Sequence, residues 1–199
     1  MSALPIRRLR QSWRTTLAIR SRLRLFYLLH LSTPPSDRAI YQAVFRRRIQ
    51  RIIELGLGTG ERAARLIEVA SQHPAASRIT YTGIDPFEAR RAEDGPGLTL
   101  KQAHRLLRAT GARIRLVPGD PLSIFSAKAN DLGVADLVLI GWPLDQGLLP
   151  RATYYLRRML HEGSLVLLER PTHSPGVKTL RALSLDHIES LGATYRRAA

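Results

Sequence analysis

The 199-residue sequence has no cysteine, which removes disulfides, thiolate metal ligands and thiol nucleophiles in one step. Aromatic residues amount to 6%, and none is interleaved with the basic residues as a base-stacking platform would require. Long apolar runs are missing too. Leu25 to Leu31 is short, and Arg20, Arg22 and Arg24 crowd its approach, so no stretch can span a bilayer. Internal repeats and low-complexity segments are absent. What remains, 44% hydrophobic and 24% charged residues, is the composition of a globular chain with room for one domain.

Acids are scarce at the start. The chain carries a net +15, and residues 1 to 51 hold twelve arginines against one acid, Asp37, so this quarter alone carries +11. Basic residues of this kind attract phosphates, and two partners stay open: nucleic acid and an anionic membrane surface. Ile6, Leu9, Trp13 and Leu17 fall at helical spacing with arginines between them, which suits a surface helix. The acid-free, arginine-containing first 36 residues also have the composition of a mitochondrial transit segment, the alternative to a cytoplasmic location.

Pro34 and Pro35 are the first clear punctuation and divide a basic helical extension, 1–36, from the remainder, 37–199. Ser36 or Asp37 can cap a helix with Ile40, Tyr41, Val44 and Phe45 on one face. From there short apolar runs alternate with helical periods. RIIEL (51–55), RITYTGID (78–85), ARIRLV (112–117), ADLVLI (135–140) and SLVLLE (164–169) read as strands, and the segments between them as helices. Strands apolar on both faces imply a mainly parallel sheet covered by helices on both sides, a doubly wound α/β fold. The helix over 151–161 ends at His161, where a helix C-terminus favours a cation. Residues 177–183 form a sixth strand, and Ser184 caps a helix over 185–191.

The chemistry concentrates in Glu54-Leu55-Gly56-Leu57-Gly58-Thr59-Gly60-Glu61, where a buried strand turns into a helix. Glycines let the backbone turn tightly and approach a ligand, and the helix start presents free N–H groups. Asp85 ends the next strand, 25 residues after Gly60, where an acid can accept hydrogen bonds from ribose hydroxyls. The glycine spacing is G-x-G-x-G rather than the dinucleotide G-x-G-x-x-G, and Glu61 at the helix start opposes a pyrophosphate. Glu54 is better matched to an ammonium. The ligand is therefore a nucleoside without phosphate.

ELGLGTGE, followed by GID, by Pro118-Gly119-Asp120 and by ADLVLI, resembles the class I S-adenosylmethionine-dependent methyltransferases over about residues 50 to 170. That resemblance implies a Rossmann-like methyltransferase fold with S-adenosylmethionine as cofactor. Gly56, Gly58 and Gly60 would line its methionine end, Glu54 would orient the ammonium, Asp85 would hold the ribose diol and Asp120 would meet the adenine amino group. Asp120 followed by Pro121 also reads as a helix cap. With 30 residues after Glu169, the antiparallel pair that closes the sheet in many members is shortened or replaced.

The acceptor side is less defined. Asp136 to Glu169, with Tyr154 and Tyr155, is similar to the branch that methylates small hydroxylated molecules. Metal-dependent members carry acids after the fourth strand, where this sequence has Gly141-Trp142-Pro143, so no metal is expected. Asp145 and Trp142 are the candidates for the catalytic side of the pocket, with Glu169 nearby. The expected reaction is methyl transfer to an oxygen or nitrogen of an acceptor that could carry negative charge. The competing expectation is a catalytically degenerate module of the same fold, attached to nucleic acid or a membrane surface by its basic N-terminal segment.

Overall fold

A strand apolar at most positions leaves little face for water, as RIIEL (51–55) and ADLVLI (135–140) of the central sheet show with burial at nearly every residue. The computed structural model describes residues 20–73, 79–141, 149–172 and 178–198. Its six strands are β1 (Arg51–Leu55), β2 (Thr80–Asp85), β3 (Arg113–Pro118), β4 (Ala135–Ile140), β5 (Leu160–Pro171) and β6 (Lys178–Leu183), in the order β3-β2-β1-β4-β5-β6. The first five run parallel, and β6 is antiparallel to β5. The helices are α1 (20–30), α2 (Pro35–Arg47), α3 (Glu61–Ala70), α4 (Leu100–Arg108), α5 (Pro121–Leu132), α6 (Leu149–Leu156) and α7 (Leu185–Ala198).

Side-chain alternation splits the core into two layers. Ile52, Tyr81, Leu137 and Leu139 pack against Leu28, Ile40, Leu66 and Leu107 of α1, α2, α3 and α4. Ile53, Leu55, Val138 and Ile140 face the other way, against Phe125, Leu156 and Ile188 of α5, α6 and α7. The expected doubly wound sheet is thus observed. Where the fold family closes with an antiparallel pair, this chain has the single strand β6 and then α7, whose Ser184 Oγ accepts from the His187 amide at 3.2 Å.

Three local expectations need correcting. Neither Ser36 nor Asp37 caps α2: Pro34 is the N-cap and Pro35 opens the helix, a position where the missing N–H costs nothing. Strand β5 begins at Leu160, not Ser164. Leu160 pairs with Ala135 and Leu165 with Leu137, so a bulge absorbs the extra residues. His161 consequently lies in β5, not at a helix end, and its Nε2 is 3.1 Å from Asp136 Oδ1.

Asp136 is a knot. Its carboxylate accepts from the backbone amides of Gln50 and Arg51 at 3.0 and 2.9 Å and from the Arg51 guanidinium, fastening the start of β1 to the start of β4. Burial pushes this carboxyl up, but the amide bonds from Arg51 and Gln50, with those from the Arg51 and His161 side chains, outweigh it and lower the pKa. A carboxyl with a lowered folded-state pKa adds stability that is present above its unfolded pKa and lost as pH falls through the folded value. Asp136→Asn should therefore cost about 1–2 kcal/mol near neutral pH. In urea unfolding, the gap to the parent chain should shrink once the pH falls below about 4; a gap independent of pH would contradict this account.

Candidate functional site

The strand order reverses between β1 and β4, whose neighbours lie on opposite sides, and a doubly wound sheet opens a crevice beyond the C-terminal ends of such strands. The ladder runs on past the strands here: the Gly56 amide donates to the Ile84 carbonyl and the Gly141 amide to the Leu55 carbonyl, both at 2.9 Å. The glycine loop then leaves the sheet with Gly56, Gly58 and Gly60 at φ 83°, 58° and 71°. Gly58 faces open space apart from the Pro96 carbonyl oxygen, 3.7 Å from where a Cβ would sit, whereas a Cβ on Gly60 would lie 2.9 Å from Leu106. Gly56 and Gly58 line a pocket of about 560 Å³, and Gly60 caps α3 behind them.

Two ion-pair systems form the pocket floor. Glu54 is fully buried on β1; Arg62 donates to its Oε1 at 2.8 Å and the Tyr81 hydroxyl to its Oε2 at 2.5 Å. The same guanidinium pairs with Glu169 of β5 and lies 3.7 Å from Asp37 of α2, while Lys178 holds the other Glu169 oxygen at 3.0 Å. Burial raises the Glu54 pKa against the opposing pull of Arg62, and burial likewise raises that of Asp37. Burial works against the charge on Arg62, but Glu54, Glu169 and Asp37 more than compensate and keep it protonated.

The second system surrounds Asp85, 1% exposed at the end of β2. Its Oδ2 accepts from the amides of Leu57 and Gly58 at 2.7 and 3.2 Å, and its Oδ1 from the Phe87 amide at 2.9 Å. Arg90 bridges both oxygens, at 2.8 and 2.5 Å. Its guanidinium also donates to the Asp94 carbonyl at 2.6 Å, and its stem crosses Gly97, where any Cβ would overlap it. The Leu98 amide reaches the Gly58 carbonyl at 3.1 Å, so segment 90–98 lies strapped across the glycine loop.

Glu54, Gly56, Gly58, Gly60 and Asp85 thus lie together at the ends of β1 and β2, but only Gly56 and Gly58 line the pocket; Glu54 and Asp85 lie beneath it with both carboxylate oxygens already engaged. Asp120 caps α5 through the Ser123 amide at 2.9 Å and is not among the pocket-lining residues. Trp142 and Asp145 lie outside the described residues. Tyr154 and Tyr155 make tilted and edge-on ring contacts with each other and with Tyr195 between α6 and α7, also away from the lining. Among the described residues no group of three or more His, Asp or Glu side chains could hold a metal ion.

Sequence reasoning misses Arg62, Arg90, Lys178, Gly141 and the stretch Thr33 to Asp37, which closes the pocket beside Glu61 and Arg65. A buried acid in an apolar strand was the available signal for Arg62, since it demands a counter-charge. A Cβ on Gly141 would sit 2.7 Å from Arg62 Nη2 and 3.0 Å from Glu169 Oε2, so this position must stay small.

The charge of the pocket opposes that of the chain. Its lining carries Asp37, Glu61, Glu93, Asp94 and Glu169 against Arg62, Arg65, Arg90 and Lys178, with Glu54 and Asp85 behind them. Seven of the 16 acids of a +15 protein therefore gather here against four cations.

No protein-family model matches the sequence, and none of the curated proteins matches it. Solved structures do. The chain superposes on the O-methyltransferase TomG from Streptomyces achromogenes, crystallised with S-adenosylmethionine, with TM-score 0.51 at 12% identity, covering 89% of this chain and 76% of that one. An O-methyltransferase from Bacillus cereus in complex with S-adenosylhomocysteine matches with TM-score 0.51 at 12% identity, covering 87% and 77%. The fold is that of the class I methyltransferases. At the crevice of this methyltransferase fold, the glycine loop and the acid ending β2 are the ones the sequence singles out.

Arg62 ties three carboxylates from three elements of the methyltransferase fold. Removing it strands buried charge, so Arg62→Met should cost about 3–5 kcal/mol in denaturant unfolding. Adding Glu54→Gln to that variant should recover part of the loss; a single variant as stable as the parent would refute the clamp.

Proposed function

We propose that the pocket binds S-adenosylmethionine and that the protein transfers its methyl group to an oxygen or nitrogen of an acceptor. The observation that carries this reading is the acid-rich pocket on a glycine loop at the sheet's reversal point, in a chain otherwise strongly basic. A volume of about 560 Å³ lies in the range of small-molecule sites. Excess negative charge suits a ligand bearing a sulfonium and an ammonium and disfavours phosphates.

Gly56 and Gly58 would admit the methionine end, whereas Glu54 and Glu169, already paired with Arg62, would not contact its ammonium directly. The cofactor supplies an activated methyl group, so the protein's task is to align an acceptor atom and exclude water. Thr33 to Asp37 would bound the acceptor side, where Arg65 and Lys178 can meet an anionic group. Asp85 is the ribose acid of this reading. Because Arg90 already spans both of its oxygens, a ribose diol has to take the place of that guanidinium. Asp120 would reach an adenine only from its capping position on α5. A metal has no part in the proposal.

The occupied Asp85 also favours a second reading, a module that keeps the fold without the cofactor and uses its basic segment for attachment. The two differ in titration calorimetry with S-adenosylhomocysteine. If the pocket is a cofactor site, Arg90→Gln should bind about tenfold more tightly than the parent, having lost the competitor for Asp85, and Asp85→Asn at least about tenfold more weakly. The absence of heat from parent and Arg90→Gln alike at millimolar ligand would instead establish the degenerate module.

A further inference from the structure

Helix α1 is apolar on two sides. Leu25, Leu28 and Leu29, at spacing i, i+3, i+4, face inward, where Leu28 is 0% and Leu29 9% exposed. Leu23, Phe26, Tyr27 and Leu31 follow the same spacing on the opposite side and are 65%, 55%, 45% and 59% exposed. These are four of the six large hydrophobic side chains that stand exposed among the described residues; Leu106 and Val134 are isolated elsewhere. Such a grouping on one helix face marks a surface that is covered in use.

Charge narrows the occupant. Exposed Arg20 and Arg22 flank the apolar side chains, Arg24 being paired with Glu68 of α3 at 3.0 Å, and no acid occurs in residues 1 to 36. A symmetric pairing with a second copy would bring two arginine-flanked faces together and repel. Nucleic acid would satisfy the arginines, and Phe26 and Tyr27 offer rings for stacking, but it would leave the more exposed Leu23 and Leu31 against phosphates. An anionic lipid surface meets both needs, since leucine and phenylalanine enter the acyl boundary while arginine stems reach back to the headgroups. No described helix is long and apolar enough to cross a membrane.

We propose that the outward face of α1 docks the protein on an anionic bilayer surface, with Leu23, Phe26, Tyr27 and, just past the helix end, Leu31 inserted and Arg20 and Arg22 on the headgroups. Helix α1 leads directly into the Thr33 to Asp37 stretch that borders the pocket.

Flotation of the full chain with vesicles tests this. Vesicles of equal parts phosphatidylglycerol and phosphatidylcholine should bind it, pure phosphatidylcholine vesicles should bind it at least about tenfold more weakly, and added salt should reduce binding. Leu23→Ser with Phe26→Ser should reduce binding at least about tenfold while circular dichroism and melting temperature stay unchanged, as expected for exposed side chains. Arg20→Gln with Arg22→Gln should reduce it as well. The proposal is overturned if the double serine variant floats as well as the parent, or if the parent ignores both vesicle types. It is equally overturned if light scattering finds a dimeric parent that the serine substitutions convert to monomer, since the face would then belong to a second copy.

Discussion

One guanidinium holds this crevice together. Arg62 emerges from the first turn of α3 and meets Glu54 of β1, Glu169 of β5 and Asp37 of α2. Carboxylates so close together, one fully buried, would repel one another and carry a heavy desolvation cost without a cation among them. With Arg62 in place, the ends of β1 and β5, the glycine loop and the start of α2 are fixed relative to each other. Small size at Gly141 follows from the same constraint, because a side chain there would strike Arg62 and Glu169.

Arg90 repeats the device on the next strand. Asp85 is saturated by three backbone amides and one bridging arginine, which also straps segment 90–98 over the loop. The two arginines differ in what surrounds them. Arg62 sits among several carboxylates and cannot leave without stranding them. Arg90 faces one carboxylate that keeps its amide donors if the guanidinium departs, so exchange for a neutral diol costs far less.

Strands β1 and β4 are legible in the sequence because a strand buried on both faces is apolar at most positions, as RIIEL and ADLVLI are. The glycine loop is legible because φ values near +60° to +80° are affordable chiefly for glycine. Asp120 is legible as a cap for the same local reason, its side chain reaching the amide three residues on. Arg62 and Arg90 are not, because among 31 basic residues nothing local separates one that folds inward from one that faces water. The β5 start and His161 are misread because a bulge hides the register. The division after residue 36 fails to convey that Thr33 and Pro34 share a pocket wall with the glycine loop, a contact made only in three dimensions.

Amide hydrogen exchange with and without S-adenosylhomocysteine tests the central claim most directly. A ligand seated on the glycine loop with its ribose on Asp85 should slow exchange at residues 56–61 and change it across 90–98, where the strap must yield, leaving α6 and α7 unaffected. Exchange that is identical with and without saturating ligand, or protection confined to surfaces away from the loop, would contradict the account.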